Sequence, residues 1–525
     1  MRDMTWDLIN AVRDVRKMNE KKIAGYVNKF NKNDEETVKQ KIDNAHALEW
    51  MLGQIPYFEC PDQTLEEIYY FRWWVYRKHI KETPEGYIIT EFHPDVDWAG
   101  AYNSINCASG HHLAEGRWLR DGAQYMEDYI RFLLKGSGNQ YSYSSWLADA
   151  VYEYCTAKGN YGFGISLLDE LVEFYEHIET TNMTRYGLFW SYDDRDAMEM
   201  SISGSGLRPT LNSYMYGNAL AIAGLAKKAG RTGLQARFEQ KAKQLKEKIQ
   251  ELLWDEKDGF YKVIPQESRE QEIESFDFCS IPEDRNVKEL IGYIPWAFRL
   301  EDRGADRTWS YLTEEDYFYT KYGLTTAEKN HPGYRKPCAT HECLWNGPVW
   351  PFATTQVLNS RILYCQRTEK SGDELFMRLL SDYAGSHYRV NGQGEKINWL
   401  DENIDPDTGT WLSREILENW GWPKEKGGYE RGKDYNHSAF CDLILRGIAG
   451  LCLEQDKVTV NPLLPGRMWD YFRAENVPLK KHNWTICYDK TGEHYGNGKG
   501  FFIYMDGQLV HWSEEISKWS NRVNK

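Results

Sequence analysis

The stretch WLDENIDPDTGTWL, residues 399–412, carries four carboxylates, Asp401, Glu402, Asp405 and Asp407, between two tryptophans. Asp405-Pro406-Asp407-x-Gly409 is tight-turn chemistry, because proline presets φ and glycine tolerates positive φ. Such a turn leaves Glu402 at its entrance, aimed by its neighbours. A second acidic stretch, LFWSYDDRDAMEMSISGSGLRP, residues 188–209, holds Asp193, Asp194, Asp196 and Glu199 with no helical stripe. Its plain reading is a solvated loop. Against that stand Trp190 and Tyr192, and the apolar Met198 and Met200 that flank Glu199. A carboxyl between apolar neighbours is desolvated, which raises its pKa and suits it to donate a proton near neutral pH. Brought together, two such loops would hold what cleavage of a glycosidic bond needs: one carboxylic acid for the leaving oxygen and one carboxylate opposite it.

Loops of this kind must be positioned by a scaffold, and up to about residue 450 the scaffold reads as helical. TLEEIYYFRWWVYRKHI, GISLLDELVEFYEHIE, NSYMYGNALAIAGLAKKAG and WPFATTQVLNSRILYCQ all space apolar residues by three and four. DEETVKQKIDNAHALEWMLG and SAFCDLILRGIAGLCL continue the pattern. Long aromatic-, Gly- and Asp-rich segments separate the helices, at residues 92–120, 186–209, 316–351 and 391–437. Loops beyond ~12–15 residues are usually functional or disordered, and these are too rich in Trp and Tyr for disorder. Scaffold helices with long loops converging at one end predict a mainly α fold, an (α/α)6 toroid over residues 1–452. The first roughly 60 residues read as an N-terminal helical extension. From 453 to 525 alternation and turn signals predict a small antiparallel β appendage.

The bulk composition narrows the function. A formal charge of −15 argues against nucleic acid, whose binding rests on clustered Lys and Arg. No apolar run approaches the ~20 residues of a membrane span, and the charged start, MRDMTWDLINAVRDVRK, has no signal-peptide core, so a cytoplasmic protein is expected. Ten scattered cysteines form no C-x-x-C pair, which predicts neither a zinc cluster nor a disulfide framework. The 21 Trp and 35 Tyr suit the apolar faces of sugar rings, making a small carbohydrate the leading substrate class. No cofactor or metal is called for: His111 and His112 in SGHH lack a third ligand at metal spacing. Oligomeric state is not legible.

Several motifs resemble glycoside hydrolase family 63. ENIDPDTG, residues 402–409, is similar to that family's Glu-Asn-Tyr-Asp-Pro-x-Thr-Gly, and WNGPVWP, residues 345–351, to its Trp-Arg-Gly-Pro-x-Trp-Pro, with Asn346 in place of Arg. LWDEKDGFY, GRWLRDG and NHSAFCDLIL match further segments in the same order, over roughly residues 90 to 450. The nearest resemblance is to the mannosylglycerate-hydrolase-like group. It implies an (α/α)6 barrel and inverting, exo-acting hydrolysis of a short oligosaccharide or small glycoside, of the α-glucosidase, α-mannosidase or arabinofuranosidase kind. Glu402 falls on the family's general base. RDAMEMSIS puts Glu199 where the family has an Asp acid, with Asp196 and Asp194 as alternates. Inversion would set the two carboxyls roughly 6.5–9.5 Å apart.

Further candidates for holding the sugar are Arg120 and Asp121, Trp190, His341 and Glu342, Trp345 and Trp350, and Tyr435 and His437. Each has an ordinary structural reading as an ion pair, a core ring or a satisfied histidine. Two other functions compete: a lyase or epimerase using Tyr435 and His437 to abstract a carbon-bound proton, and a non-catalytic carbohydrate-binding protein.

Overall fold

A computed structural model describes residues 20–300, 306–429 and 431–522; the charged N-terminal segment lies outside the described residues. The fold is mainly helical. Its longest helices are Gln63–Lys78, Leu168–Asn182, Pro209–Lys228, Thr232–Leu252 and Pro351–Arg367. Their starts follow from local chemistry. Asp62 caps the first by accepting the Leu65 N–H at 3.0 Å, and Asp373 caps Glu374–Gly385 through Phe376 N–H at 2.7 Å. Pro209 and Pro351 each open a helix at its first turn, where the missing N–H has no partner to lose. Each proline closes one of the long aromatic segments, so those segments deliver their residues to helix N-termini.

Several helices adjacent in the chain pack against each other. Pro209–Lys228 lies against Thr232–Leu252, and Pro351–Arg367 against Glu374–Gly385. Pro209–Lys228 and Pro351–Arg367 are buried almost throughout, whereas Thr232–Leu252 buries one stripe, Phe238, Ala242, Leu245 and Ile249. The polar-faced helix is therefore an outer member and the other two are inner.

Three segments depart from their expected form. Of DEETVKQKIDNAHALEWMLG only the end is helical, entering the helix Ala47–Gln54, and residues 34–46 are irregular. That segment wraps the buried Arg77 guanidinium, which takes Gln40 Oε1 (2.8 Å), the Ile42 carbonyl (2.5 Å) and Asn44 Oδ1; satisfying a buried cation outweighs helix propensity. The 92–120 segment contains the buried helix Ser109–Gly116. The closing helix is one α-turn, Cys441–Leu443, followed by π-helix Ile444–Ile448. Its start is capped from another part of the chain: the Glu115 carboxylate accepts the N–H groups of Phe440, Cys441 and Asp442 at 2.6, 2.9 and 2.7 Å.

The C-terminal strands form a five-stranded antiparallel sheet whose edge strand comes from near the other end of the chain. The order is Tyr57–Glu59, Tyr471–Leu479, His482–Asp489, Gly500–Met505, Gln508–Ser513, with Phe58 opposite Ala474 and Ile486 opposite Ile503. A three-stranded sheet joins Leu451–Cys452, Lys457–Val460 and Trp519–Arg522. Sheet residues Phe472, Trp484, Ile486 and Phe501 belong to the same continuous core as the helices.

Candidate active site

The 188–209 segment is pinned by one buried ion pair. Arg208 Nε meets Asp196 Oδ2 at 2.7 Å, with neither side chain exposed. The same carboxylate accepts the hydroxyls of Ser144 (2.6 Å), Ser191 (3.0 Å) and Thr210. Asp196 is thereby consumed in holding the loop. Beyond it, the backbone turns through positive φ at Ala197 (+57°) and Met200 (+63°), a conformation costly for side-chain-bearing residues. Glu199 sits between them, and its carbonyl accepts the Trp345 N–H at 3.1 Å.

That last bond begins a chain of backbone contacts. Val349 and Ile404 exchange hydrogen bonds at 2.9 and 2.8 Å, so the segments holding Glu199, Trp350 and Glu402 are stitched in sequence. The expected turn lies beyond: Asp405 Oδ1 accepts the N–H groups of Asp407 and Thr408 at 2.8 and 3.1 Å, and Arg335 pairs with both Asp405 and Asp407. Gly409 has φ +76°, and a Cβ there would stand 2.4 Å from the Tyr322 ring. On the other side of Glu402, Asp401 accepts the Glu402 N–H at 3.0 Å and Arg414 Nε at 2.6 Å.

These segments close around a cavity of about 480 Å³ whose walls include Glu91, Phe92, Trp98, Asp194, Glu199, His341, Glu342, Cys343, Trp350, Glu402, Arg431 and Tyr435. The two carboxyls anticipated as acid and base therefore face one space but differ in surroundings. Burial pushes Glu199 up to about 8, reinforced by the negative charges of Asp194, Glu402 and Glu91. Among the described residues no cation pairs with it. Glu402 is buried, which raises it too, but the Arg431 guanidinium is bonded to Oε1 and opposes the rise, and Cys343 Sγ lies 3.5 Å from Oε2. Arg431 also pairs with Glu342, which Lys426 approaches at 2.9 Å; burial would raise Glu342, but these cations outweigh it and hold it below its ordinary value. Arg431 lies over the rings of Phe92 and Trp98 at 5.7 and 5.1 Å.

A third carboxyl, Glu91, is buried in the same wall. It accepts the Tyr435 hydroxyl at Oε1 and Cys107 Sγ at Oε2, 2.9 Å away. Burial pushes it up to about 7. The arrangement can do acid–base chemistry: a proton-bearing carboxyl and an arginine-held carboxylate share a pocket walled by aromatic rings.

Comparison with known proteins identifies the family. The family model for the mannosylglycerate hydrolase MGH1-like glycoside hydrolase domain matches residues 101–438. The chain belongs to that family. A solved structure called a sialidase is similar at TM-score 0.85 and 36% identity, over 96% of this chain and 44% of that one, so this chain spans less than half of the sialidase's length. The Streptomyces avermitilis α-L-rhamnosidase complexed with L-rhamnose shares the fold, with TM-score 0.52 and 12% identity over 87% of this chain and 38% of that one. The Thermus thermophilus mannosylglycerate hydrolase has TM-score 0.47 and 13% identity, over 70% of this chain and 96% of that one.

Within this MGH1-like glycoside hydrolase domain, the other anticipated site residues divide into three groups. Asp194, His341, Glu342, Trp350 and Tyr435 line the cavity with Glu199 and Glu402. Trp345 and His437 stand outside its lining: Trp345 stacks on Trp350 at 4.5 Å between ring centroids and 15° between planes, and His437 stacks on Tyr435 at 3.9 Å. Trp190, Arg120 and Asp121 are elsewhere. The Trp190 indole donates to the Gln266 carbonyl at 2.8 Å, whereas Arg120 donates to the Leu52 carbonyl and Asp121 N–H donates to Gln54 Oε1 at 3.1 Å. Those last contacts tie the GRWLRDG turn to the end of the Ala47–Gln54 helix. His112 has partners on both ring nitrogens, the Asn436 carbonyl at 2.6 Å and the Tyr129 hydroxyl at 3.1 Å. Asn346 Nδ2 donates to the Lys336 carbonyl at 2.9 Å and helps shape the loop.

Sequence reasoning passed over Glu91, Arg431 and Cys343. Arg431 precedes Tyr435 and His437, already singled out, and an isolated Arg among glycines carries no periodic signal. Glu91 sits in TEFHPD, which matches no motif.

Proposed function

We propose that this chain is an inverting, exo-acting glycoside hydrolase that removes a terminal sugar from a short oligosaccharide or small glycoside, with its paired helices closed into an (α/α)6 toroid. The observation that carries the reading is the unequal pair of carboxyls facing one cavity. Environments that hold one group protonated and pair its counterpart with a cation assign the acid and the base. Glu199, raised and without a cation, donates its proton to the departing glycosidic oxygen. Glu402, held by Arg431, takes a proton from a water that attacks the anomeric carbon on the opposite face. Glu199 ends ionised and Glu402 protonated, and exchange with solvent restores both. Inversion requires roughly 6.5–9.5 Å between the carboxyls, room for that water.

A proton-abstracting lyase is disfavoured by the state of its base. Burial, with the negative charge of Glu91, holds the Tyr435 phenol well above its ordinary value, and its hydroxyl is already donated to Glu91. The deciding experiment is a panel of aryl α- and β-glycosides with the product anomer followed by proton NMR from the first turnover. The expected product is the anomer opposite to the substrate, with activity reduced about 10²–10⁴-fold in Glu199→Gln and in Glu402→Gln. Full activity in both variants would sink the assignment, and retention of configuration would replace inversion by a covalent route.

A further inference from the structure

We infer that Glu91 receives hydroxyl groups of the bound sugar and restricts the substrate to neutral sugars, an inference that rests on the glycosidase reading above. Glu91 lies ahead of the region that the family model matches, residues 101–438, and belongs to neither acidic segment. It is nevertheless 3% exposed and part of the cavity wall. The acid–base mechanism gives it no task.

Its geometry is that of a fixed acceptor. The Tyr435 hydroxyl donates to one oxygen and Cys107 Sγ to the other, so the carboxyl plane cannot turn. Its backbone is held as well, because the Asn436 N–H donates to the Glu91 carbonyl at 3.0 Å. A carboxylate has about four lone-pair sites. Two are taken, one on each oxygen, which leaves one on each for a pair of neighbouring sugar hydroxyls. Beside these acceptors the Phe92 and Tyr435 rings lie 4.6 Å apart, an apolar surface for the C–H face of the same sugar.

Charge sets the class of sugar. Six carboxyl side chains line the cavity against three cations. Arg431 is committed to Glu402 and Glu342, and Lys426 to Glu342. The third, Arg195, is exposed and donates to the Ser142 carbonyl at 2.6 Å. A sugar bearing its own carboxylate would add a further negative charge to a cavity whose Arg431 and Lys426 are already paired with Glu402 and Glu342. A ring carrying only hydroxyls supplies the donors these acceptors lack. A sialic acid is therefore excluded from this cavity, whatever the activity of the longer chain called a sialidase.

The test is calorimetric titration of the wild-type protein with D-glucose, D-mannose, L-rhamnose, L-arabinose and N-acetylneuraminic acid, which leaves the Arg431–Glu402 pair intact. Each titration is repeated on Glu91→Gln and Glu91→Asp, with melting curves to establish folding. At least one neutral sugar should bind, about tenfold or more weakly once Glu91 is Gln, with part of the loss recovered by Asp. N-acetylneuraminic acid should not bind. In the otherwise wild-type enzyme Glu91→Gln should raise KM more than it lowers kcat. The inference is overturned if neutral-sugar affinity is unchanged by Glu91→Gln, if N-acetylneuraminic acid binds best, or if no neutral sugar binds. A collapse of kcat at constant KM would overturn it too, making Glu91 a proton-transfer group. Because hydrolysis is scored separately on the glycoside panel, each of these results leaves the glycosidase reading to stand or fall by itself.

Discussion

Two glutamates in one cavity differ because one has an arginine and the other does not. That difference makes a pH profile the sharpest test at the scale of single residues. Glu199 must carry a proton to act as the acid, and its value is pushed up to about 8 by burial first and then by neighbouring negative charge. Below that value it is protonated and competent; above it the proton is lost. We therefore expect kcat/KM to fall on the alkaline side with a midpoint near pH 8. Glu402 must be ionised, so the acid limb should lie above the ordinary carboxylate range, because burial raises it against the pull of Arg431. An alkaline limb that persists unshifted in Glu199→Gln, measured on the residual activity, would assign that limb to another group.

At the scale of elements, the cavity depends on loops held by buried polar contacts more than on helix ends alone. Asp196 shows this most clearly. In sequence it reads as an alternate acid, yet it is spent on Arg208, Ser144, Ser191 and Thr210. Removing one partner of a buried pair leaves an uncompensated charge, which costs about 3–5 kcal/mol. Asp196→Ala should therefore lower the thermal midpoint and cripple activity together, since the strained turn carrying Glu199 loses its anchor. Asp194→Ala, exposed at the cavity wall, should leave the midpoint nearly unchanged. If Asp196→Ala melted like the parent but lost only kcat, Asp196 would be acting chemically and the structural role would be wrong.

At the scale of the whole molecule, the C-terminal strands and the helices are one body. Tyr57–Glu59 supplies the edge strand of the C-terminal sheet, and sheet and helix residues share a core. Buried ions tie distant parts as well: Lys78 contacts Asp34 at 3.0 Å and Asp434 at 2.5 Å, just before Tyr435 in the cavity wall. A chain ended at residue 452 would strip partners from Tyr57–Glu59 and Leu451–Cys452 and expose apolar core. It should aggregate and lose its cooperative melting transition in circular dichroism. A soluble, cooperatively melting, active 1–452 fragment would mean that the strands are a dispensable addition.

Much of this is legible in the chain itself. Periodicity locates most of the helices within a few residues, because an apolar stripe repeats wherever a helix packs on a core. Turn chemistry locates the Asp405–Gly409 turn, and apolar flanks single out Glu199, since both are properties of neighbouring residues. What the chain alone withholds are facts about distance in space. Residues 34–46 look helical until Arg77 needs their oxygens, and Asp196 looks catalytic until Arg208 is seen to hold it. The edge strand at Tyr57–Glu59 has no mark of its own, because its partner, Tyr471–Leu479, lies almost at the far end of the chain. Glu91 and Arg431 are isolated charges in ordinary loops. Only folding brings one beside Tyr435 and the other beside Glu402, where a desolvated charge costs or contributes far more than it would in water. Residue types and their local spacing thus determined the helices, the turn and the two candidate acids. Tertiary structure alone decided which charges share a cavity and which of them meet a counter-ion.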